Sequence, residues 1–194
     1  MSLAAILEAR EQRWRIKCEL ARRFRACVLS LCLNIPGPDK NPPDAERALT
    51  LLQEALREAH TRELHLHRKR TRRLRLSPKA LLPPLATVPR AANLHTARGT
   101  GADGPYRLMV SPLPGFTLKR MAVRLEREHP LGRLADIDIL TQTGETVSRA
   151  DLGLPPRACF LCGEAAALCR RKKQHPQAML MDFVMALLEK AREL

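Results

Sequence analysis

The stretch His129-Pro130-Leu131-Gly132-Arg133-Leu134-Ala135-Asp136-Ile137-Asp138-Ile139-Leu140 admits few folds. A glycine turn leads into a strand in which apolar and acidic side chains alternate, and alternate strand residues share a face. Ile137 and Ile139 then enter a core, while Asp136 and Asp138 project together from the other face, about 7 Å apart along the backbone. Two carboxylates so disposed are hard oxygen ligands within reach of one or two magnesium ions. Gly132 allows close backbone approach, and Arg133 adds a planar cationic fork for phosphate oxygens. Together they read as a metal-dependent phosphoryl or nucleotidyl transfer site. Two aspartates flanking an isoleucine also occur at ordinary strand ends, where they are only solvated.

The rest of the chain supplies elements to pack around that strand. Leu3, Ile6, Leu7, Trp14 and Leu20 form an imperfect apolar stripe that predicts a helix, with a break allowed, over Ser2 to Arg25. Ala26 to Ile35 is a ten-residue apolar run stopped by Pro36-Gly37-Pro38, and predicts a buried strand. Leu49, Leu52, Leu56 and Ala59 recur at helical spacing within Ala45 to His60, with Asp44 as the expected N-cap. Leu64 and Leu66 alternate as in a strand end, the cluster Arg68-Lys69-Arg70-Thr71-Arg72-Arg73 follows, and Pro78, Pro83, Pro84 and Pro89 come after it. Residues 62–98 therefore read as a basic, proline-rich, mostly irregular insertion. Beyond a glycine-rich turn, Tyr106 to Val110 predicts a strand and Leu118 to Arg127 a helix beside the Asp136 strand. Thr143-Gly144 turns the chain into a short return strand from Glu145 to Ser148, and an amphipathic helix is expected over Asp182 to Leu194. The expectation is one domain over 1–194, α/β in class with α+β possible: a mixed sheet flanked by helices, nucleotidyltransferase-like by analogy.

Charge narrows the partners. Thirty-four Lys and Arg against 20 Asp and Glu leave a net +14, which calls for an anionic partner. Aromatic residues make up only 3% and are scattered, so no stacking platform for single strands or RNA loops is in view, and nucleic acid is the weaker candidate. An acidic protein or a polyphosphate ligand explains the charge equally well. No apolar run has the length of a membrane span, and the arginine-studded N-terminus is unlike a signal peptide. A cytoplasmic protein with reduced thiols is expected.

Two further constellations carry chemistry. Arg149 and Arg157 join Arg133 around the carboxylate strand, Lys40 is aimed by the rigid turn Asn34-Ile35-Pro36-Gly37-Pro38-Asp39-Lys40, and Glu126, Glu128 and Glu145 are the choices for a third metal ligand. Cys159-x2-Cys162-x6-Cys169-x5-His175 offers three thiolates and an imidazole, from which a closed, structural, tetrahedral zinc site can be built. Its bland alternative is a set of small buried cysteines at a helix start.

The Asn34 to Lys40 turn, His129 to Arg133 leading into Asp136-Ile137-Asp138, Ser148-Arg149, and Leu154-Pro155-Pro156-Arg157-Ala158-Cys159-x2-Cys162 with Cys169 and His175 occur here in order. In that combination the chain resembles the apo-citrate lyase phosphoribosyl-dephospho-CoA transferase family, the holo-acyl-carrier-protein synthases of citrate lyase. The resemblance implies a nucleotidyltransferase. A serine hydroxyl on the acyl-carrier subunit of citrate lyase would attack the α-phosphorus of triphosphoribosyl-dephospho-CoA and release pyrophosphate. It further implies that Asp136 and Asp138 hold magnesium, that Arg133 and Gly132 meet the triphosphate, and that Lys40, Arg149 and Arg157 make further phosphate contacts. His129 is the candidate acceptor of the serine proton, with a structural role before Pro130 as its alternative. A reading from another class remains beside this one, a zinc-stabilised basic module that binds nucleic acid.

Overall fold

The computed structural model describes residues 2–73 and 96–194. Helix α1, Leu3–Phe24, runs without a break and is capped by the Ser2 hydroxyl, which accepts from the Ala5 N–H at 3.2 Å. Strand β1, Cys27–Leu33, follows, then helix α2, Ala45–Arg73. The hairpin of β2, Thr96–Gly101, and β3, Gly104–Ser111, leads into helix α3, Gly115–Glu128, and strand β4, Ala135–Leu140. A short 3-10 turn at Ala150–Leu152 precedes helices α4, Ala166–Lys172, and α5, Gln177–Lys190.

The sheet has the order β2-β3-β1-β4. Its three pairings are all antiparallel, so the α/β expectation is met in its α+β form rather than with a mixed sheet. Both neighbours of β1 sit beside it, and all seven of its residues are buried, as the unbroken apolar run requires. One face packs on α1 through Leu20 and Ala21 against Val28, Leu108, Val110 and Leu140. The other carries Leu29, Leu31, Ile137 and Ile139 against Leu49, Leu52 and Leu56 of α2, Leu118 and Leu125 of α3, and Val184 and Leu188 of α5. Ile137 and Ile139 are essentially inaccessible, and each such side chain stabilises the fold by about 1.5–3 kcal/mol.

Four local expectations are corrected. Leu64 and Leu66 belong to α2, which continues through Arg73, because the apolar row of Leu49, Leu52 and Leu56 extends to Ala59 and Leu64 at helical spacing, leaving Leu66 exposed. The remaining insertion, residues 74–95 with its prolines, lies outside the described residues. Asp44 does not spend its carboxylate on the start of α2. It adopts φ 66° and accepts from Arg192 Nε at 2.8 Å, tying the start of α2 to the end of α5. The return after Gly144 is one bridge, Leu140 to Thr146, rather than a full strand. α5 begins five residues before the predicted helix, directly after Pro176. Among the described residues no helix is long and apolar enough to cross a membrane.

Candidate active site

In the register of β4 on β1, Asp136 faces Cys32 and Asp138 faces Ser30. Opposed residues of an antiparallel pair share a face, so both carboxylates stand on the α1 side of the sheet. Near Leu20 that face is filled by apolar packing. Towards the N-terminal half of α1 it opens into a cavity of about 1290 Å³, larger than the usual small-molecule site. Asp136 and Asp138 line it, and their side chains are 56% and 60% exposed. The alternation read from sequence is thus realised, with Ile137 and Ile139 on the buried side.

Cations surround the pair. Arg10, Arg13 and Lys17 recur along one side of α1 with Trp14 among them, and all four line the cavity. Lys17 Nζ lies 3.8 Å from Asp138 Oδ2 and 4.9 Å from the Trp14 ring centroid. Arg13 pairs with Asp103 of the β2–β3 turn and stacks on Tyr106. Lys40 also lines the cavity, and its ammonium donates to the Ile35 carbonyl. Gly37, at φ +79°, gives that loop its turn, and a Cβ there would strike the Gln177 side chain. Burial, with Arg10 nearby, lowers the Lys40 pKa, and Asp103 partly opposes the shift.

From α3, Lys119 Nζ donates to the Ile137 carbonyl at 2.9 Å, between the two aspartates in sequence. One turn-pair further along α3, Glu126 is 5% exposed and bridges two arginines: Arg149 Nη2 at 2.6 Å and Arg157 Nη2 at 2.9 Å. Arg157 also donates to the Ala135 carbonyl at 2.5 Å and lies 3.8 Å from Asp136. Crowding by the cavity walls and the like charge of Asp138 raise the Asp136 pKa, against the pull of Arg157. The carboxylate remains reachable from the cavity even though protein surrounds most of it.

Lys40, Arg149, Arg157, Asp136 and Asp138 therefore meet in one cavity, as do Cys159, Cys169 and His175 on its wall. Cys162 lies just outside it, and Arg133, Gly132 and His129 do not line it either. Arg133 donates to the carbonyls of Ala158 at 3.1 Å and Cys159 at 2.7 Å and lies over the Phe160 ring, which occupies its fork; desolvation and the charge of Arg157 lower its pKa. A Cβ on Gly132 would sit 2.5 Å from the Leu125 carbonyl oxygen and 2.6 Å from that of Glu126, so this glycine serves the packing of the turn on α3. His129 Nδ1 accepts from the Leu131 N–H at 3.0 Å and burial lowers its pKa, which makes it a turn-stabilising group at the end of α3. Among the candidates for a third metal ligand, Glu126 is committed to arginines, Glu145 accepts from Thr143, and neither Glu128 nor Glu145 lines the cavity.

Sequence reasoning missed Arg10, Arg13, Lys17, Lys119 and the bridging role of Glu126, and it assigned Trp14 to the apolar stripe. The signal on α1 was present in the i, i+3, i+4, i+7 spacing of residues 10, 13, 14 and 17. Lys119 and Glu126 share one helix face in the same way, seven residues apart.

The thiols of Cys159, Cys162 and Cys169 and a ring nitrogen of His175 all lie within 4.8 Å of one another. Desolvation and the neighbouring thiols push Cys169 up to about 12. Cys159 is shifted down: desolvation is outweighed by the backbone N–H groups of Leu161 and Cys162 and by the other two thiols.

A family model described as apo-citrate lyase phosphoribosyl-dephospho-CoA transferase matches residues 1–84 and 84–191. A protein of that name from Escherichia coli O139:H28 (strain E24377A / ETEC) is 47% identical over 87 residues, covering 45% of this chain and 48% of the relative. The protein of the same name from Shigella boydii serotype 18 (strain CDC 3083-94 / BS512) matches with 47% identity over 87 residues and the same coverage. The aligned stretch thus spans about half the length of these curated relatives. With the family match running through nearly all of the sequence, the chain belongs to the apo-citrate lyase phosphoribosyl-dephospho-CoA transferase family.

Proposed function

We propose that this protein is a nucleotidyltransferase that moves the phosphoribosyl-dephospho-CoA group from triphosphoribosyl-dephospho-CoA to a serine of the citrate lyase acyl-carrier subunit. The serine oxygen bonds to the α-phosphorus and gives up its proton to solvent, the bond from that phosphorus to the bridging oxygen of the β-phosphate breaks, and pyrophosphate departs. One observation carries the reading: two carboxylates, with cations gathered around them, line a cavity of about 1290 Å³, room enough for a ligand of nucleotide size or larger.

In-line displacement at phosphorus asks a protein mainly for positioning and for stabilisation of charge. Lys40, Arg149 and Arg157 line the cavity and are the residues for the triphosphate, joined by Arg10 and Lys17. Glu126 fixes both arginines before substrate arrives, so their alignment costs little on binding. Trp14, 39% exposed in the cavity wall, offers a flat apolar surface to the adenine ring. Asp136 and Asp138 fit a hard divalent cation, magnesium, because among the described residues their ion pairs are loose, at 3.8 Å, and leave oxygens free. When bound, that ion supplies Lewis-acid stabilisation of charge on phosphate oxygens. The net charge of +14 suits an acidic carrier partner and a cytoplasmic setting rich in anions.

The test is to incubate the protein with the apo carrier subunit, the triphosphate precursor and magnesium, and to weigh the carrier by intact mass spectrometry. A gain of one phosphoribosyl-dephospho-CoA group with an equal yield of pyrophosphate is expected. A carrier mass unchanged from the enzyme-free control overturns the assignment. Tight, salt-sensitive binding to DNA or RNA in place of transfer points to the nucleic-acid reading.

A further inference from the structure

Between residues 151 and 180 the only buried residues are Cys159 and Cys169. This long stretch forms much of the cavity wall, through Arg157, Phe160, Arg170, Lys173 and Gln177 among others. Its regular structure is slight. A small hairpin is closed by the Ala158 to Ala165 bridge and by Cys159 N–H on the Glu164 carbonyl at 2.7 Å, and it is followed by the seven residues of α4. A segment without an apolar core of its own needs another clamp to hold one conformation.

We propose that Cys159, Cys162, Cys169 and His175 bind one structural zinc ion that clamps this wall of the cavity. Three separate pieces of chain bring the groups together: the hairpin, α4, and the loop before α5. Cys162 Sγ lies 3.5 Å from Cys169 Sγ and 3.3 Å from His175 Nε2. Ligands around one tetrahedral zinc, with metal bonds of about 2.0–2.3 Å, stand roughly 3.3–3.8 Å apart. Cysteines acting as small apolar side chains have no reason to aim three sulfurs and an imidazole nitrogen at one point. All six cysteines are free thiols, so no disulfide competes for these sulfurs.

Four protein ligands complete the coordination shell and leave no open position, which makes the ion structural. The charges agree. Three thiolates and one Zn²⁺ carry a net −1, next to Arg170, Arg171 and Lys172 in the last turn of α4. Arg133 braces the same loop from behind through the carbonyls of Ala158 and Cys159, and the Phe160 ring it covers stacks on Phe183 of α5 at 5.2 Å. The arginine beside the carboxylate strand is therefore a positioning residue for the zinc loop.

The test uses the full chain, without a polyhistidine tag, purified from zinc-supplemented medium. Elemental analysis is expected to give about one zinc per chain. Cobalt exchanged into the wild-type protein is expected to show tetrahedral d–d bands with thiolate charge transfer. Cys162→Ser and His175→Ala should retain less than about a fifth of the metal, while His175→Cys, which restores a ligand, and Cys18→Ser, outside the cluster, should retain it. Chelation should raise hydrogen exchange across residues 158–177 several-fold and leave β1 and β4 protected. Trace metal only, with the three cluster thiols reacting promptly in the native protein, overturns the proposal, as does a cobalt spectrum of octahedral character. None of these readouts depends on transferase activity.

Discussion

Removing the Glu126 carboxylate tests whether the cavity's arginines are held by a buried charge. Glu126 is 5% exposed and accepts from Arg149 at 2.6 Å and Arg157 at 2.9 Å. Breaking a buried pair on one side costs about 3–5 kcal/mol, because the partner charge is left uncompensated. Arg149 and Arg157 are 21% and 19% exposed, and Arg157 keeps the Ala135 carbonyl and Asp136, so the lower end applies. Glu126→Ala is expected to lose about 3 kcal/mol, and Glu126→Gln, which retains one acceptor, about half of that. In thermal unfolding a domain of this size then melts roughly 6–12 °C lower for the alanine variant. Because the pair is buried, the loss should persist at high salt. In the transfer assay KM for the triphosphate should rise with it, since both guanidiniums lose their fixed direction. Variants within about 0.5 kcal/mol of wild type, or a loss abolished by salt, would show that Glu126 does not hold the arginines as a buried pair.

His60 is fully buried with Nε2 on Ser111 Oγ at 2.8 Å, and desolvation lowers its pKa from the ordinary 6.5 to about 4. The unfolded chain therefore takes up this proton first, and the stability is complete above pH 6.5 and lost as pH falls toward 4, by about 3 kcal/mol in all. Urea midpoints followed from pH 7 to 4.5 should show this slope, and His60→Gln should flatten it; equal slopes would count against it. Gly132→Ala forces a Cβ to 2.5 Å from a helix carbonyl, and a loss of about 1–3 kcal/mol is expected in chemical denaturation. If instead stability holds and only KM for the triphosphate rises, the glycine faces the ligand after all. Trp14 is the sole tryptophan and lines the cavity, so its fluorescence should be quenched as the triphosphate precursor saturates the site. Emission unchanged at saturating ligand places the binding site elsewhere.

What was legible in the sequence followed from period and chemistry. The two-residue alternation of β4 set which side chains are buried, and the apolar run of β1 announced a strand covered on both faces. Lys40, Arg149 and Arg157 line the same cavity as the two carboxylates, and Arg157 approaches Asp136. Less legible was how a polar group divides its bonds. Arg133 and Arg157 look alike in sequence, yet one binds loop carbonyls and the other Glu126, a difference decided by tertiary packing. Gly132 signalled a close approach correctly, but the approaching atoms are the backbone of α3. The α1 cations are hard to read from sequence because they interleave with an apolar stripe whose Leu3 and Leu7 are in fact exposed.

Under the proposed function, Asp136 and Asp138 act together with a divalent cation inside the basic cavity. Magnesium-dependent pyrophosphate release, measured for wild type, Asp136→Asn and Asp138→Asn across a magnesium titration, tests it most directly. Both substitutions keep side-chain volume and remove one charge. Since loss of a mere outer-shell partner costs about 10–100-fold, each variant is expected to fall by more than about 100-fold at fixed magnesium, with folding intact by circular dichroism. Release at the wild-type rate from either variant, with unchanged magnesium dependence, would show that the aspartate pair does not hold the ion.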